Sequence, residues 1–261
     1  MKTAYILLTG ILTITTLSPA LGSECTAKSG ERRVALLELY TSEGCNSCPP
    51  ADEWVSKLPS KGLTNDRIVP LAFHVDYWNY LGWRDVFSQT NFAERQRQTA
   101  QINRSGFVYT PQLVLNGIDY RRGILWDGTS ERIKEINQQK PLADISLTLS
   151  IPSAGQLHVF GEIKVPGALV HQNVQAYLAL YENNLSNAVK AGENSGHTLH
   201  HDFVVRELVG PISLDQQGNA WFQQTFNLKS GWKLQDSGVV AFVQNNRSGD
   251  VLQALALAAC K

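Results

Sequence analysis

Hydrophobic and polar residues follow two different patterns along the chain, and the change lies near residue 140. From Arg33 to about Lys140, apolar runs of strand length alternate with segments of mixed, helix-like polarity. Such alternation is typical of a parallel or mixed sheet covered by helices. The predicted elements of this part are, in order, strand 34–40, helix 51–58, strand 68–75, helix 92–102, strand 112–116, strand 119–121 and helix 130–138. We predict one α/β domain over residues 23–141, with Thr129 or Ser130 as the cap of its last helix.

After Pro141 the pattern changes to short stretches in which hydrophobic and polar residues alternate. Period-two alternation predicts strands with one buried face, and clusters of Gly, Asn and Asp mark the turns between them. The predicted strands are 144–151, 157–164, 174–182, 198–208, 220–227, 239–245 and 251–257. Seven strands without a helix predict a β-sandwich domain over residues 142–261. The predicted fold class is therefore α/β followed by all-β.

The N-terminal segment has the composition of an export signal. Lys2 precedes a mostly apolar run from Ala4 to Leu17, and small residues follow up to Gly22. This order is typical of a secretory signal peptide, so we expect residues 1–22 to be removed. The run is too short for a comfortable membrane span, and the sequence contains no later stretch of about 18 apolar residues. We expect an exported protein without stable membrane insertion.

The charge of the chain gives no sign of a polyanionic partner. The chain has 23 basic and 23 acidic side chains, and loss of Lys2 with the signal leaves a formal charge of −1. A near-neutral chain without a basic run is poorly suited to binding nucleic acid. We expect no nucleic-acid partner, and the sequence leaves the oligomeric state open.

Four cysteines provide the strongest chemical signal, because cysteines of exported proteins are candidates for oxidation. Cys45 and Cys48 are separated by two residues, and Cys25 and Cys260 each lie near a mature terminus. Since chain termini often lie close together, we predict a structural disulfide between Cys25 and Cys260. The alternative is two thiols that are free or paired between molecules.

The Cys45-Asn-Ser-Cys48 segment lies between a predicted strand and a predicted helix. A helix N-terminus favours the thiolate over the thiol, so a redox role predicts Cys45 as exposed nucleophile and Cys48 as resolving cysteine. Pro49 and Pro50 favour a helix that begins there, with Ser47 as its cap. Half of a zinc site is one alternative, although the other cysteines lack zinc-ligand spacing. A purely structural bridge is another, although so short a ring gains little stability.

Acidic side chains near the two cysteines predict a reducing or modestly oxidising couple. Glu43, Asp52 and Glu53 lie close in sequence, and Lys57 alone offsets them. Negative charge disfavours a nearby thiolate. We therefore expect a reduction potential below the range of the strongest oxidants, about −130 mV.

Thr110-Pro111 directly precedes the third predicted strand. The order strand, Cys-X-X-Cys, helix, strand, helix, Thr-Pro, strand, strand, helix resembles the thioredoxin fold. The resemblance implies that Pro111 is cis and faces the disulfide, and that Thr110 offers backbone hydrogen bonds to a bound peptide. An ordinary proline at the start of a strand is the alternative. Glu38 lies close to the position where thioredoxins have a buried acid. If Glu38 points inward, it would take a proton from Cys48. A Glu38 that points outward into solvent is the equally weighted alternative.

His74-Val-Asp76-Tyr-Trp78 follows the second predicted strand, at the end where open α/β sheets place their sites. His74 and Asp76 share a predicted strand face, so an acid–base or orienting role beside Cys45 is one interpretation. Trp78 would then form part of an aromatic wall. A packed aromatic loop without a chemical role is the alternative.

Several segments also resemble a narrower family of secreted bacterial thioredoxin-like proteins, catalogued as domain of unknown function 1223. The specific motifs are Gly44-Cys-Asn-Ser-Cys-Pro-Pro50 and His74-Val-Asp-Tyr-Trp78, with Gly192-Glu-Asn194 and Val204-Val-Arg206 in the second half. The resemblance spans nearly the whole mature chain. It implies a fold and a periplasmic or secreted location, and it supplies no substrate.

Three histidines in the second half, His197, His200 and His201, are a weaker candidate for a metal site. Strand alternation sends His200 and His201 to opposite faces, which leaves two on one side. We expect a partly exposed strand without metal here. Arg206 and Glu193 are predicted to pair and to hold the Gly-Glu-Asn loop.

The sequence thus predicts an exported thiol–disulfide oxidoreductase without a cofactor, acting on protein or small-molecule thiols and disulfides. A binding or assembly module with a structural disulfide is the main alternative. A copper carrier is a third, although no Met-rich segment accompanies the two cysteines. The redox partner, the direction of electron flow and the role of the second domain do not follow from the sequence.

Overall fold

The computed structural model describes residues 24–121, 128–153, 155–170 and 173–260, so the predicted signal peptide lies outside the described residues. The elements up to residue 141 are β1 (Glu24–Lys28), β2 (Ala35–Thr41), α1 (Pro49–Ser56), β3 (Ile68–His74), α2 (Thr90–Ile102), β4 (Gln112–Leu115), β5 (Ile118–Asp119) and α3 (Thr129–Asn137). The elements after it are β6 (Asp144–Ser150), β7 (Gln156–Lys164), α4 (Gly167–Val170), β8 (Val174–Glu182), β9 (Leu185–Ala188), β10 (Thr198–His201), β11 (Val204–Ser213), β12 (Asn219–Asn227), β13 (Ser237–Asn245) and β14 (Val251–Ala258). The predicted mixture of α/β and strand-rich parts is confirmed at this level.

Several local predictions were wrong, among them the expectation that no helix follows residue 141, where α4 is a short helix. The strand predicted at 198–208 is two strands, β10 and β11, because Phe203 between them adopts a φ of 58°, which a continuous strand excludes. Neither predicted cap is used: Cys48, not Ser47, is the N-cap residue of α1, and Gly128 is that of α3. Strands β1 and β9 were not predicted, because each is short and lacks a long apolar run.

The described strands form three sheets. The largest has eight strands in the order β14-β13-β8-β11-β3-β2-β4-β5, a second has the order β1-β6-β7-β12, and β9 and β10 form a hairpin. The parallel pairing of β11 with β3 aligns Val204 with Ala72, and the Ala72 N–H donates to the Phe203 carbonyl at 2.8 Å. The largest sheet therefore contains strands from both sides of the domain boundary predicted at residue 141. The boundary itself stays a prediction.

The two faces of β2 pack against different helices, because successive side chains of a strand point to opposite faces. Leu37 and Leu39 lie in one buried cluster with residues of α1 and α3, and Leu36 and Tyr40 lie in another with Phe92 of α2. Helix α1 and helix α2 therefore cover opposite faces of the sheet.

The second half is two packed layers of strands. Alternating residues of the four-stranded sheet share a buried cluster with residues of β8, β13 and β14 of the larger sheet. The layer that contains β8, β13 and β14 therefore belongs to the same sheet as the strands of the first half. Cys25 of β1 and Cys260, just beyond β14, form a disulfide that joins the two layers near the termini.

A buried ion pair ties the two halves together. Glu38 is 1% exposed and accepts hydrogen bonds from Arg95 Nε and an Arg95 terminal nitrogen, both at 2.8 Å, and from the Tyr40 hydroxyl at 2.7 Å. The Arg95 guanidinium lies 5.1 Å from the ring centres of Tyr177 and Phe242 in the second half. Burial lowers the pKa of Arg95, but Glu38 outweighs it and raises this pKa above its ordinary value.

Arg95→Met should destabilise the protein by about 3 to 5 kcal/mol, because it leaves the Glu38 charge buried without a partner. Arg132→Met is the matched control, since Arg132 pairs with Glu135 at the surface, where an ion pair contributes about 1 kcal/mol or less. Urea unfolding of the disulfide-intact proteins measures both effects. Equal losses in the two variants would contradict the structural role of the buried pair.

Candidate functional site

The Cys45–Cys48 disulfide lies in the loop that joins β2 to α1. The two Cα atoms are 5.5 Å apart, and Cys48 is the N-cap residue of α1, with Pro49 and Pro50 in the first helical positions. The Cys48 carbonyl accepts hydrogen bonds from the N–H groups of Ala51 and Asp52. Cys45 therefore lies outside the helix, as the proline positions predicted.

Both sulfurs are buried, so the prediction of an exposed Cys45 was wrong. Cys45 is 1% exposed and Cys48 is 0% exposed, although Asn46 and Ser47 between them face solvent. The sequence placed Cys45 at a loop near the surface, but local pattern does not reveal which distant segment covers that loop.

The loop between β9 and β10 covers the disulfide loop. The Asn194 side-chain amide donates to the carbonyl oxygens of Glu43 and Cys45, at 2.8 and 2.9 Å. The Asn46 N–H donates to the Glu193 carboxylate at 3.0 Å. We call residues 192–195 the covering loop. It holds the disulfide loop through polar contacts on both sides of Cys45.

The predicted pairing of Arg206 with Glu193 is not formed. Arg206 Nε lies 3.6 Å from a Glu182 carboxylate oxygen, and its guanidinium lies 4.4 Å from the ring centre of Trp232. Glu193 instead accepts the hydrogen bond from Asn46. The covering loop is therefore attached to the disulfide loop itself rather than to β11.

Thr110-Pro111 lies beside the start of the disulfide loop. The antiparallel register of β4 with β2 aligns Gln112 with Tyr40, which brings the preceding residue pair next to the end of β2. The Thr110-Pro111 peptide bond is cis and Pro111 is buried. The indole N–H of Trp78 donates to the Thr110 hydroxyl at 2.7 Å.

Trp78 also supports the disulfide loop directly. A Cβ atom added at Gly44 would lie 3.0 Å from Trp78 Cβ, so a larger residue here would require Trp78 to move by a few tenths of an ångström. Trp78 thus contacts both the residue before Cys45 and the residue before Pro111. The structure brings together Cys45, Cys48, Thr110 and Trp78 of the predicted site.

Glu38 does not fit the proton-transfer role that its inward orientation was expected to serve. It points inward, but to the face of the sheet covered by α2, whereas the helix that begins at Cys48 covers the other face. Both of its carboxylate oxygens accept hydrogen bonds, from Arg95 and Tyr40. Its geometry is that of a structural ion pair.

His74 and Asp76 do not form the predicted pair. Strand β3 ends at His74, so strand alternation does not extend to Asp76, which accepts a hydrogen bond from the Thr90 hydroxyl at 2.6 Å. His74 is fully buried, and its Nδ1 lies 2.7 Å from an Asp85 carboxylate oxygen. Asp85 belongs to an irregular segment, and no sequence pattern linked it to His74.

A buried group of polar residues that the sequence did not bring together lies next to the disulfide loop. His201 is 2% exposed; its Nε2 lies 3.4 Å from Glu43 Oε1 and its Nδ1 lies 3.8 Å from Asp52 Oδ1. Its ring centre is 4.8 Å from that of His74. Two sequence signals could have pointed to this group. Strand alternation predicted that His201 and His200 face opposite sides, and Asp52 lies one helical turn after Cys48.

Carboxylates and imidazoles lie next to each other within this buried group and shift the pKa values of His201 and Asp85. Burial lowers the pKa of His201, but Asp52 and Glu43 outweigh it and raise the pKa to about 10. Burial raises the pKa of Asp85, but His74 and backbone N–H donors outweigh it and hold the pKa below its ordinary value. Asp52, His74 and His201 are the residues of the described chain whose donor atoms lie close enough together to hold a metal ion.

Comparisons with known proteins support the overall architecture. A crystal structure of a structural-genomics target protein from Agrobacterium tumefaciens is similar, with 25% sequence identity and a TM-score of 0.62 over 89% of this chain and 97% of that chain. The structure of HBP35 of Porphyromonas gingivalis is also similar, with 17% identity and a TM-score of 0.68 over 88% of this chain and 76% of that chain. At that identity the second likeness shows the fold alone.

No curated protein matches the chain at a significant level. Within the described residues, the helices are all too short or too polar to cross a membrane. The formation of disulfides by all four cysteines fits an exported protein. A family model described as a protein of unknown function (DUF1223) matches residues 36–244, and the chain therefore belongs to this family.

Proposed function

We propose that the protein is an exported, periplasmic or secreted thiol–disulfide oxidoreductase whose Cys45–Cys48 disulfide reacts when the covering loop opens. The observation that carries this proposal is a disulfide closed across three positions at the junction of a strand and a helix. A bridge that closes so short a ring restricts the unfolded chain little, so stability alone is a weak reason for it.

The arrangement of the first half supports a thioredoxin-like domain over residues 23–141. Strand β2 pairs in parallel with β3 and antiparallel with β4, which pairs antiparallel with β5. Helices α1 and α3 pack on one face and α2 on the other. In this arrangement the disulfide lies where β2 leads into α1, beside Thr110-Pro111.

The reaction follows ordinary thiol–disulfide exchange. A thiolate of a protein or small-molecule partner attacks Cys45, which forms a mixed disulfide and releases Cys48 as a thiolate. A second partner thiolate then attacks the partner sulfur of the mixed disulfide and releases Cys45. The partner is oxidised to a disulfide, the protein is reduced to a dithiol, and the reverse sequence reduces a partner disulfide.

The positions of the two cysteines favour Cys45 as the attacked sulfur. Cys45 precedes the exposed residues Asn46 and Ser47, and its sulfur lies 3.4 Å from the Ser47 hydroxyl. Cys48 is held at the helix N-terminus and is fully buried. The buried carboxyl groups of Glu43 and Asp52 on this side of the sheet disfavour thiolates, which supports a couple that is not strongly oxidising.

A non-catalytic binding or assembly module is the second candidate, and the burial of both sulfurs favours it. In that case the disulfide would hold the loop on which Asn194 and Trp78 pack. The two candidates differ in whether the disulfide can be reduced at the potentials of a thiol pool.

Asn194→Ala should accelerate reduction of the Cys45–Cys48 disulfide by dithiothreitol. The variant loses two hydrogen bonds of about 1 kcal/mol each, so opening becomes roughly 30-fold more favourable and reduction correspondingly faster. Ser195→Ala is the matched control, because the Ser195 side chain is exposed in the same loop. Alkylation and mass spectrometry at timed intervals measure the rate. An unchanged rate in Asn194→Ala would show that the loop does not control access.

Equilibration with glutathione buffers should give a reduction potential for Cys45–Cys48 between about −300 and −130 mV. When expressed in the protein's own host, the Cys48→Ala variant should accumulate mixed disulfides through Cys45. A variant with both Cys45→Ala and Cys48→Ala keeps the Cys25–Cys260 bridge and serves as the control. A potential below −300 mV together with no adducts above this control would favour the non-catalytic module.

A further inference from the structure

Two histidines and three carboxylates form a buried group beneath the disulfide loop, on the face of the sheet that α1 covers. We call Glu43, Asp52, His74, Asp85 and His201 the histidine–carboxylate cluster. Each of them is at most 6% exposed. Charged and imidazole groups are rarely this buried unless they are paired or bind an ion.

Polar atoms of this cluster lack hydrogen-bond partners among the described residues. They are His74 Nε2, both ring nitrogens of His201, and Glu43 Oε1. A buried polar atom without a partner typically costs about 1 to 3 kcal/mol. His201 Nε2 and Glu43 Oε1 lie 3.4 Å from each other as an ion pair, so His74 Nε2 and His201 Nδ1 are the two atoms that a further ligand would satisfy.

We propose that Asp52, His74 and His201 bind a divalent transition-metal ion of the zinc class. One donor atom from each of the three residues lies within 4.8 Å of the other two. His74 Nδ1 is engaged by Asp85, which leaves Nε2 as the ligand atom. His201 Nδ1 is the ring nitrogen on the Asp52 side, at 3.8 Å from its carboxylate.

A polar side chain lies beside each of these ligands on the side away from the other two. An Asp85 carboxylate oxygen lies 2.7 Å from His74 Nδ1, and a Glu43 carboxylate oxygen lies 3.4 Å from His201 Nε2. These are the ring nitrogens that would not bind the ion. The Thr41 hydroxyl donates to the other oxygen of Asp52 at 2.9 Å. Metal-binding histidines ordinarily donate their second ring N–H to a carboxylate, and ligating carboxylates accept further hydrogen bonds. His74 and Asp52 have such a hydrogen bond here, and His201 has the Glu43 carboxylate at ion-pair distance.

The ligand types determine the class of metal. Two imidazoles and one carboxylate suit zinc and similar ions, whereas calcium and magnesium take oxygen ligands. Ligands of a tetrahedral zinc ion lie about 3.3 Å apart, given bonds of about 2.0 to 2.1 Å. Metal binding would therefore draw the donors together by up to about 1.5 Å, since their present separations are at most 4.8 Å.

The three ligands come from three elements, namely α1, the end of β3 and β10. A bound ion would therefore fix the β9–β10 hairpin, and the covering loop between its strands, to the helix that follows Cys48. Binding of the ion does not require the thiol chemistry proposed above. Because the cluster is buried, we expect metal to be taken up during folding or by slow local opening.

The test uses the full mature protein with its disulfides intact, unfolded with a chelator and refolded without metal. We expect it to bind one equivalent of Zn²⁺, competing with a chromophoric chelator at micromolar affinity or tighter. Co²⁺ should give the visible absorption of a bound ion, and the melting temperature should rise with Zn²⁺. Binding far below one equivalent at 100 µM Zn²⁺ would overturn the proposal and leave a proton on His201 as the occupant of the cluster.

Variants locate the site and separate it from the cysteines. Asp52→Asn, His74→Gln and His201→Gln should each weaken Zn²⁺ binding by about 100-fold or more. His200→Gln is the matched control, because His200 is the exposed neighbour on the same strand, and its affinity should equal wild type. A variant with Cys45→Ser and Cys48→Ser should also bind normally. Loss of binding in either of these two controls, or its retention in all three ligand variants, would refute the site.

Discussion

The parallel pairing of β11 with β3 is the constraint on which the site depends. It joins four strands from each side of residue 141 into one sheet. The β9–β10 hairpin immediately precedes β11, so this pairing brings the hairpin to the carboxyl end of β3. There it meets the loop after β2, which contains the disulfide. Asn194 reaches that loop from the connection between β9 and β10, and His201 reaches it from the end of β10.

Buried charged side chains lie on both sides of the sheet at β2, and their pairing with neighbouring groups differs between the two sides. On the α2 face, Glu38 and Arg95 form a complete pair whose hydrogen bonds are all made within the protein. On the α1 face, Asp52 and Glu43 face His201 at longer distances, and several polar atoms are left without partners. The first arrangement is structural, whereas the incomplete second arrangement is the one that can accept an ion.

The disulfide loop is held by polar contacts rather than by apolar packing alone. Asn194 and Glu193 contact the main chain around Cys45, and Trp78 packs against Gly44 while its indole reaches Thr110. Hydrogen bonds of this kind are individually weak, so a loop can leave without disrupting the sheet beneath it. A buried disulfide and an exchange reaction are compatible on this basis, provided that the loop opens.

Local patterns in the sequence determined most of the strands and helices, because hydrophobic periodicity and proline positions act within a few residues. They also determined the close Cys45–Cys48 spacing, the start of α1 at Pro49 and the opposite orientations of His200 and His201. The cover over Cys45, the direction of Glu38 and the partner of His74 were decided only by the tertiary structure. Each depends on contacts that side-chain periodicity does not encode: Asn194 lies 149 residues from Cys45, Arg95 lies 57 residues from Glu38, and Asp85 belongs to an irregular segment. A sequence pattern shows which face of an element is buried, but the packing of the whole chain decides what that face meets.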